Sequence, residues 1–188
     1  MSTEATTLTP AGERLLAAAA DLFYRRGIRA VGVDLIADTA GTTKKTLYDR
    51  FGSKDALVVL YLRRRAEQWH GFLRAHIDPH PPGRARVLGA FDALEDWLRE
   101  QYRGCAFVNA YAEVGGTDHP AVEVIRADKA WTRQLFCELA REAGAADPDA
   151  LGAQLHVLYE GANVAVTAGG QADAVDVARA AAARLLGG

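Results

Sequence analysis

Several things are scarce in this sequence, and each shortage removes a class of protein. The 188 residues include only two cysteines, Cys105 and Cys137. That is too few for a disulfide framework or a four-cysteine zinc site, and it fits a reduced cytoplasmic setting. Ser2 and Ser53 are the only serines, and neither stands in a nucleophile-elbow context. No glycine-rich phosphate loop occurs, and His70, His76, His80, His119 and His156 form no catalytic motif. The run His76-Ile77-Asp78-Pro79-His80 offers ligand types for a metal. Its prolines remove helical i,i+4 geometry, however, and no third cluster is near in sequence, so neither metal nor cofactor is expected. No apolar run approaches a membrane span. Residues 15–20 are too short and too closely flanked by Glu13, Arg14 and Asp21 for a signal peptide, and Met1-Ser2-Thr3-Glu4 lacks a basic residue. A soluble cytoplasmic protein is expected. Basic charge is also not in excess: 22 Lys and Arg face 24 Asp and Glu, a net of −2. Taken whole, that balance argues against a nucleic-acid binder.

Alanine is abundant and β-branched residues are few: 37 Ala against 14 Val and 4 Ile. This favours helices over sheets. Thr9-Pro10 reads as an N-cap followed by proline at the first helical position. Leu15, Leu16, Ala19, Leu22 and Phe23 then recur at helical spacing until Gly27. Short helices follow at 33–40, ended by Gly41, and at 44–51, capped by Thr42 or Thr43. A long one runs from 54 to 76. The proline-rich stretch 76–83 is a loop. Beyond it lie an amphipathic stripe (Val87, Phe91, Leu94, Leu98), a short helix over 106–114, and a helix from His119-Pro120 carrying Ile125, Thr132, Phe136 and Leu139. A further helix behind the cap Asp147-Pro148 carries Leu151, Leu155, Leu158, Ala162 and Ala165, and an alanine-rich helix spans 171–186. No strand alternation and no repeat is present. The expectation is an all-α protein of about nine helices.

Residues 33–51 are the most informative. Two short helices flank a Gly-Thr-Thr turn, the helix-turn-helix pattern. Ala37 is small where the two helices approach, Gly41 can take the left-handed conformation that ends the first, and Leu47 and Phe51 face inward beside Ile36. The first turn of the second helix would enter the major groove, so Lys44, Lys45 and Thr46 are candidates for base edges. Thr43, Tyr48, Lys54 and Arg29 are better placed for phosphates, and Thr42 and Arg50 complete the candidate DNA-binding set. Charge is concentrated here. From 42 to 54 there are four basic residues and one acid, a net of +3. Residues 1–54 carry 8 basic and 6 acidic residues (+2), and residues 55–188 carry 14 and 18 (−4). The whole-chain value therefore hides a basic end coinciding with the motif.

The stretch from Val33 to Leu57, with Thr46-Leu47-Tyr48, Phe51 and Ser53-Lys54 as its specific part, resembles the DNA-binding segment of the TetR family of bacterial transcriptional regulators. The resemblance extends upstream to Phe23-Tyr24-Arg25-Arg26-Gly27-Ile28 and covers about residues 9–60. It implies a three-helix DNA-binding domain, here residues 1–54, followed by a helical ligand-binding and dimerisation domain, residues 55–188. It also implies a repressor that leaves its promoter when a small molecule binds. Gly104-Cys105-Ala106-Phe107, followed by Asn109 and Glu113, resembles a motif of the LmrA/YxaF-like subgroup. One position departs from the pattern: many relatives place Thr or Ser where this chain has Gly32, and a hydroxyl contact to phosphate is lost there.

In the C-terminal region Trp69, Trp97, Phe107, Tyr111 and Tyr159 are candidates to line a cavity for a small, largely apolar or aromatic effector. Asn109, Glu113, His156 and Asn163 would be its polar handles, with Cys105 nearby as a candidate sensor. Leu155, Leu158, Ala162 and Ala165 in the penultimate helix, with Val175, Ala178, Ala182 and Leu185 in the last, are candidates for a homodimer interface. A two-fold dimer would present two recognition helices to a roughly palindromic operator. The alternatives are a helical enzyme, or a ligand-binding protein without DNA binding.

Overall fold

The computed structural model describes residues 8–101 and 103–187; Met1-Ser2-Thr3-Glu4 lies outside them. Among the described residues there are nine helices and no strand: α1 (Pro10–Arg26), α2 (Val33–Thr39), α3 (Lys44–Phe51), α4 (Lys54–Ile77), α5 (Arg84–Arg99), α6 (Ala106–Val114), α7 (Ala121–Glu142), α8 (Pro148–Thr167) and α9 (Ala174–Leu185). None of these is long and apolar enough to cross a membrane.

The helices start where local chemistry starts them. Thr9 Oγ1 accepts from the Gly12 amide at 3.3 Å, and Pro10 follows at the first helical position. Thr43 Oγ1 accepts from the Thr46 amide at 3.1 Å, so Thr43 rather than Thr42 is the cap of α3. Asp147 Oδ1 accepts from the Ala150 amide at 3.0 Å and precedes Pro148. Each cap satisfies an amide with no partner inside its helix. Gly32 caps α2 with no side-chain hydrogen bond.

The chain forms two compact units. The first is Met1–Arg64 with Val108–Val124; the second is Arg65–Phe107 with Ile125–Gly188. The division thus falls inside α4, ten residues beyond the expected boundary at 54. Its physical reason is that the start of α4 belongs to the core of the head. Leu57, Val58 and Tyr61 are buried, Tyr61 meets Phe23 with ring centroids 5.8 Å apart, and Arg64 pairs with Glu13 on α1.

In the first unit Leu15, Leu16, Ala19 and Phe23 of α1 are buried together with Ile36, Ala37 and Leu47 of the helix pair. The turn between α2 and α3 is a Schellman closure: the Thr42 amide donates to Ala37 O (3.0 Å) and the Gly41 amide to Asp38 O (3.1 Å). Gly41 has φ +61°, and a Cβ there would meet nothing within 4 Å, so backbone conformation and not space requires glycine.

The second unit is built on an aromatic core. Phe91, Phe136 and Tyr159 contact one another, at 5.6 Å between Phe91 and Tyr159 and 5.2 Å between Phe136 and Tyr159. Trp69 lies 5.2 Å from Trp97. Leu155, Ala162, Val175, Ala178 and Ala182 belong to this same core.

Candidate nucleic-acid interface and effector cavity

Helix α3 presents its first turn to solvent. Lys44, Lys45, Tyr48 and Arg50 are exposed, while Leu47 on the opposite side is fully buried. Lys44 Nζ stands 3.2 Å from Asp34 Oδ2 and Lys45 Nζ 2.6 Å from Asp49 Oδ2. Both ion pairs are exposed, and such pairs are worth little in water. A phosphate or base edge can therefore take either ammonium at small cost. Thr43 and Thr46 hydroxyls lie 3.0 Å apart beside the lysines. The helix N-terminus adds partial positive charge where a polyanion would approach.

The loop between α1 and α2 is held from both sides. Glu113 accepts from the Ile28 amide at 2.8 Å and the Arg29 amide at 2.7 Å, while Lys54 Nζ donates to Ile28 O at 2.6 Å. The Lys54 ammonium also lies 5.9 Å from the Phe23 ring centre. Burial pulls the Lys54 pKa down, against the opposing charges of Asp55 and Glu113. Gly27 is needed at this junction twice over. Its φ is +90°, and a Cβ would fall 2.9 Å from Glu113 Oε1.

The second unit contains a cavity lined by Arg65, Trp69, Leu94, Trp97, Leu98, Gly104, Cys105, Ala106, Phe107, Asp128, Lys129, Thr132, Tyr159, Glu160 and Asn163. It bounds about 430 Å³ of atom-free space, part of it open to solvent. Of the residues expected here, Trp69, Trp97, Cys105, Phe107, Tyr159 and Asn163 line it. His156 sits one turn before Glu160, with Nε2 3.6 Å from Glu160 Oε1.

Asn109, Tyr111 and Glu113 do not line the cavity. They fall in the part of α6 that belongs to the first unit, where Tyr111 is exposed and Glu113 serves the α1–α2 loop. Arg65, Asp128, Lys129 and Glu160 add charged groups to the lining. Lys129 Nζ donates to both oxygens of Glu160 at 2.9 Å and to Cys105 Sγ at 3.4 Å. Burial works against the Lys129 ammonium, but Cys105, Glu160 and Asp128 outweigh it and raise its pKa. Burial likewise works against ionised Glu160, and His156 and Lys129 hold it below the usual carboxylate range. A signal for Asp128 did exist: it lies three residues after Ile125 and four before Thr132, on the apolar stripe of α7.

The candidate dimer residues also sit differently from expectation. Leu155, Ala162, Val175, Ala178 and Ala182 are buried by their own chain, and Leu158 and Ala165 are half-buried. The side of α8 that faces outward carries Val157 (69% exposed), Gly161, Val164 (46%) and Ala168, and Val177 and Leu185 are exposed on α9. This outer face leaves apolar area uncovered.

An exposed, capped, cationic helix on a helix-turn-helix, in a chain whose second helical unit holds a cavity, defines a helix-turn-helix DNA-binding regulator. Residues 15–60 match the family described as bacterial regulatory proteins, tetR family, and residues 83–182 match the tetracyclin repressor-like C-terminal domain. The chain belongs to the TetR family; it is a DNA-binding transcriptional regulator and not an enzyme. It is 32% identical over 133 residues to the HTH-type transcriptional activator FasR of Mycolicibacterium smegmatis, a match covering 70% of this chain and 59% of that protein. A TetR-family regulator from Streptomyces coelicolor shares 30% identity and superposes with a TM-score of 0.86 over 94% of each chain. A regulator from Saccharomonospora viridis, solved in complex with choline, shares the fold at 21% identity, with a TM-score of 0.77 over 93% of this chain and 94% of that one.

Proposed function

We propose that this regulator acts as a homodimer on a roughly palindromic operator and is released when a small effector enters the second-unit cavity. Lys44, Lys45 and Thr46 would read base edges. Arg29, Thr42, Thr43, Tyr48, Arg50 and Lys54 would hold the backbone. The observation that carries the dimer is the outer face of α8 and α9, where Val157, Gly161, Val164, Ala168 and Val177 leave apolar area uncovered. A two-fold pairing through this face would fix the spacing of two α3 helices. An effector that prefers one spacing shifts the equilibrium away from DNA, and the coupling is reciprocal. Helices α4, α6 and α7 each contribute residues to both units, which makes them the covalent routes for that coupling. A cytoplasmic repressor acting by occupying a promoter is the reading we favour. The activator FasR supports a second: the same head could recruit transcription instead.

Three experiments test this. Selection of bound genomic fragments gives the operator, and a promoter fusion with and without the protein then shows repression or activation. Light scattering is expected to return twice the 20.2 kDa chain mass, and Val157→Asp with Val164→Asp to return single chains. A single-chain wild type at micromolar concentration contradicts the dimer. A small-molecule library is then screened for release of the bound operator. The cavity-filling variant Ala106→Phe is expected to bind operator and lose the release; release that persists in it contradicts the cavity as effector site.

A further inference from the structure

The charges lining the cavity already have partners. Lys129 is clamped to Glu160 through both carboxylate oxygens, at 2.9 Å. Asp128 Oδ1 lies 3.0 Å from His70 Nε2. Arg65 donates to Gln101 Oε1 at 2.5 Å, with its guanidinium 4.8 Å from the centre of Trp97. Two cations and two anions line the space, and each is engaged: Lys129 and Glu160 neutralise each other, Asp128 is held by His70, and Arg65 by Gln101 and the Trp97 ring. A charged effector would have to compete with a standing partner at each of these groups, which is costly away from water.

Two neutral groups are in the opposite condition. Tyr159 Oη and Asn163 Oδ1 are buried and have no hydrogen-bond partner among the described residues. Both line the cavity, on side chains belonging to residues only 2% and 9% exposed. They are four residues apart on α8, hence one above the other on the same face. Burial keeps the Tyr159 phenol in its neutral form, so it remains able to donate. Asn163 Oδ1 can only accept. Buried polar groups without partners are uncommon in folded proteins, and a bound molecule is one way the missing partners are supplied.

On the reading that this cavity is the effector site, we propose that it takes an uncharged single-ring alcohol or phenol, whose hydroxyl donates to Asn163 Oδ1 and accepts from Tyr159 Oη. The ring would lie against Trp69, Trp97 and Phe107. A hydroxyl satisfies both groups at once because it is donor and acceptor together. A carboxylate offers Asn163 Oδ1 only lone pairs. A ketone or ether can satisfy Tyr159 alone. A quaternary ammonium satisfies neither. A cavity of about 430 Å³, part of it open to solvent, suits a small body such as a single ring.

The test uses the full chain and three probes of one shape: benzyl alcohol, benzoate and benzyltrimethylammonium. Binding is followed by tryptophan fluorescence, since Trp69 and Trp97 line the site, and unliganded stability by thermal melting. Benzyl alcohol is expected to bind about tenfold or more tightly than either ion. Tyr159→Phe and Asn163→Leu are each expected to weaken it by roughly fivefold or more. In Tyr159→Phe, removing an unpartnered hydroxyl is expected to leave the unliganded melting temperature level or higher, whereas a purely structural tyrosine would lower it. Equal or tighter binding of either ion overturns the proposal while leaving the effector cavity in place. Undiminished alcohol binding in both variants overturns it, as does binding of no probe up to about 10 mM. The effector reading itself stands or falls on the separate release screen with Ala106→Phe.

Discussion

The two units use ion pairs to opposite ends. In the head, Lys44–Asp34 and Lys45–Asp49 are exposed and solvent-screened, so each lysine can exchange its carboxylate for DNA. In the second unit, Lys129–Glu160 is half-buried and joined through both carboxylate oxygens, and the buried Asp128 carboxylate is held by His70. What separates a recognition charge from a structural one is its surroundings. A surface pair is a reservoir of binding capacity; a half-buried pair clamped through both oxygens is a structural commitment.

Breaking a fixed pair should therefore cost stability, and breaking an exchangeable one should not. Lys129→Ala leaves Glu160 half-buried without its cation. We expect a loss of about 3 kcal/mol, or roughly 6–12 °C in Tm by calorimetry. Lys45→Ala should change unfolding free energy by less than about 0.5 kcal/mol. Equal losses would erase the distinction between the units. Acid should expose the same difference. The pKa of Glu160 is lowered in the fold, so its contribution is present above the unfolded value near 4.3 and disappears as pH falls through the folded one. Lys129, shifted upward, contributes throughout this range and is lost only in strong alkali. Glu160→Gln should thus flatten part of the stability loss below about pH 4, as followed by circular dichroism.

Glu113 lies between these extremes, a half-buried carboxylate satisfying two backbone amides. Glu113→Ala should cost about 2 kcal/mol and speed hydrogen exchange at the Ile28 and Arg29 amides. Unchanged exchange there would show that the loop does not depend on α6. The smallest effect is expected at Gly32. A Cβ there meets nothing within 4 Å, and φ is −82°, so Gly32→Ser should add a cap to α2 and raise stability by a few tenths of a kcal/mol. It should also tighten operator binding slightly in a titration.

What could be read from the sequence divides along the same line. Caps, the Gly41 turn and the lysines of α3 are local chemistry, set by residues within a few positions of one another, so Thr9, Thr43 and Asp147 announce their helices directly. Burial is not local. Helix α8 is apolar on two sides, and periodicity cannot say which side its own chain covers. Leu155 and Ala162 therefore looked like interface, whereas Val157 and Val164 are the ones left outside. Glu113 looked like a pocket residue because α6 begins at the cavity with Ala106 and Phe107, and nothing in its sequence marks where its surroundings change. Nothing local marks Lys129 and Glu160, because each acquires its partner from another helix, 31 residues away.

The central claim is that the exposed lysines of α3 read DNA. The most direct measurement is a gel-shift titration of a genome-selected operator, and of its single-base variants, with the wild type and Lys45→Ala. The account predicts binding weaker by about 1–3 kcal/mol in the variant, with discrimination relaxed at one base pair in each half-site. Unchanged affinity and unchanged discrimination would contradict it.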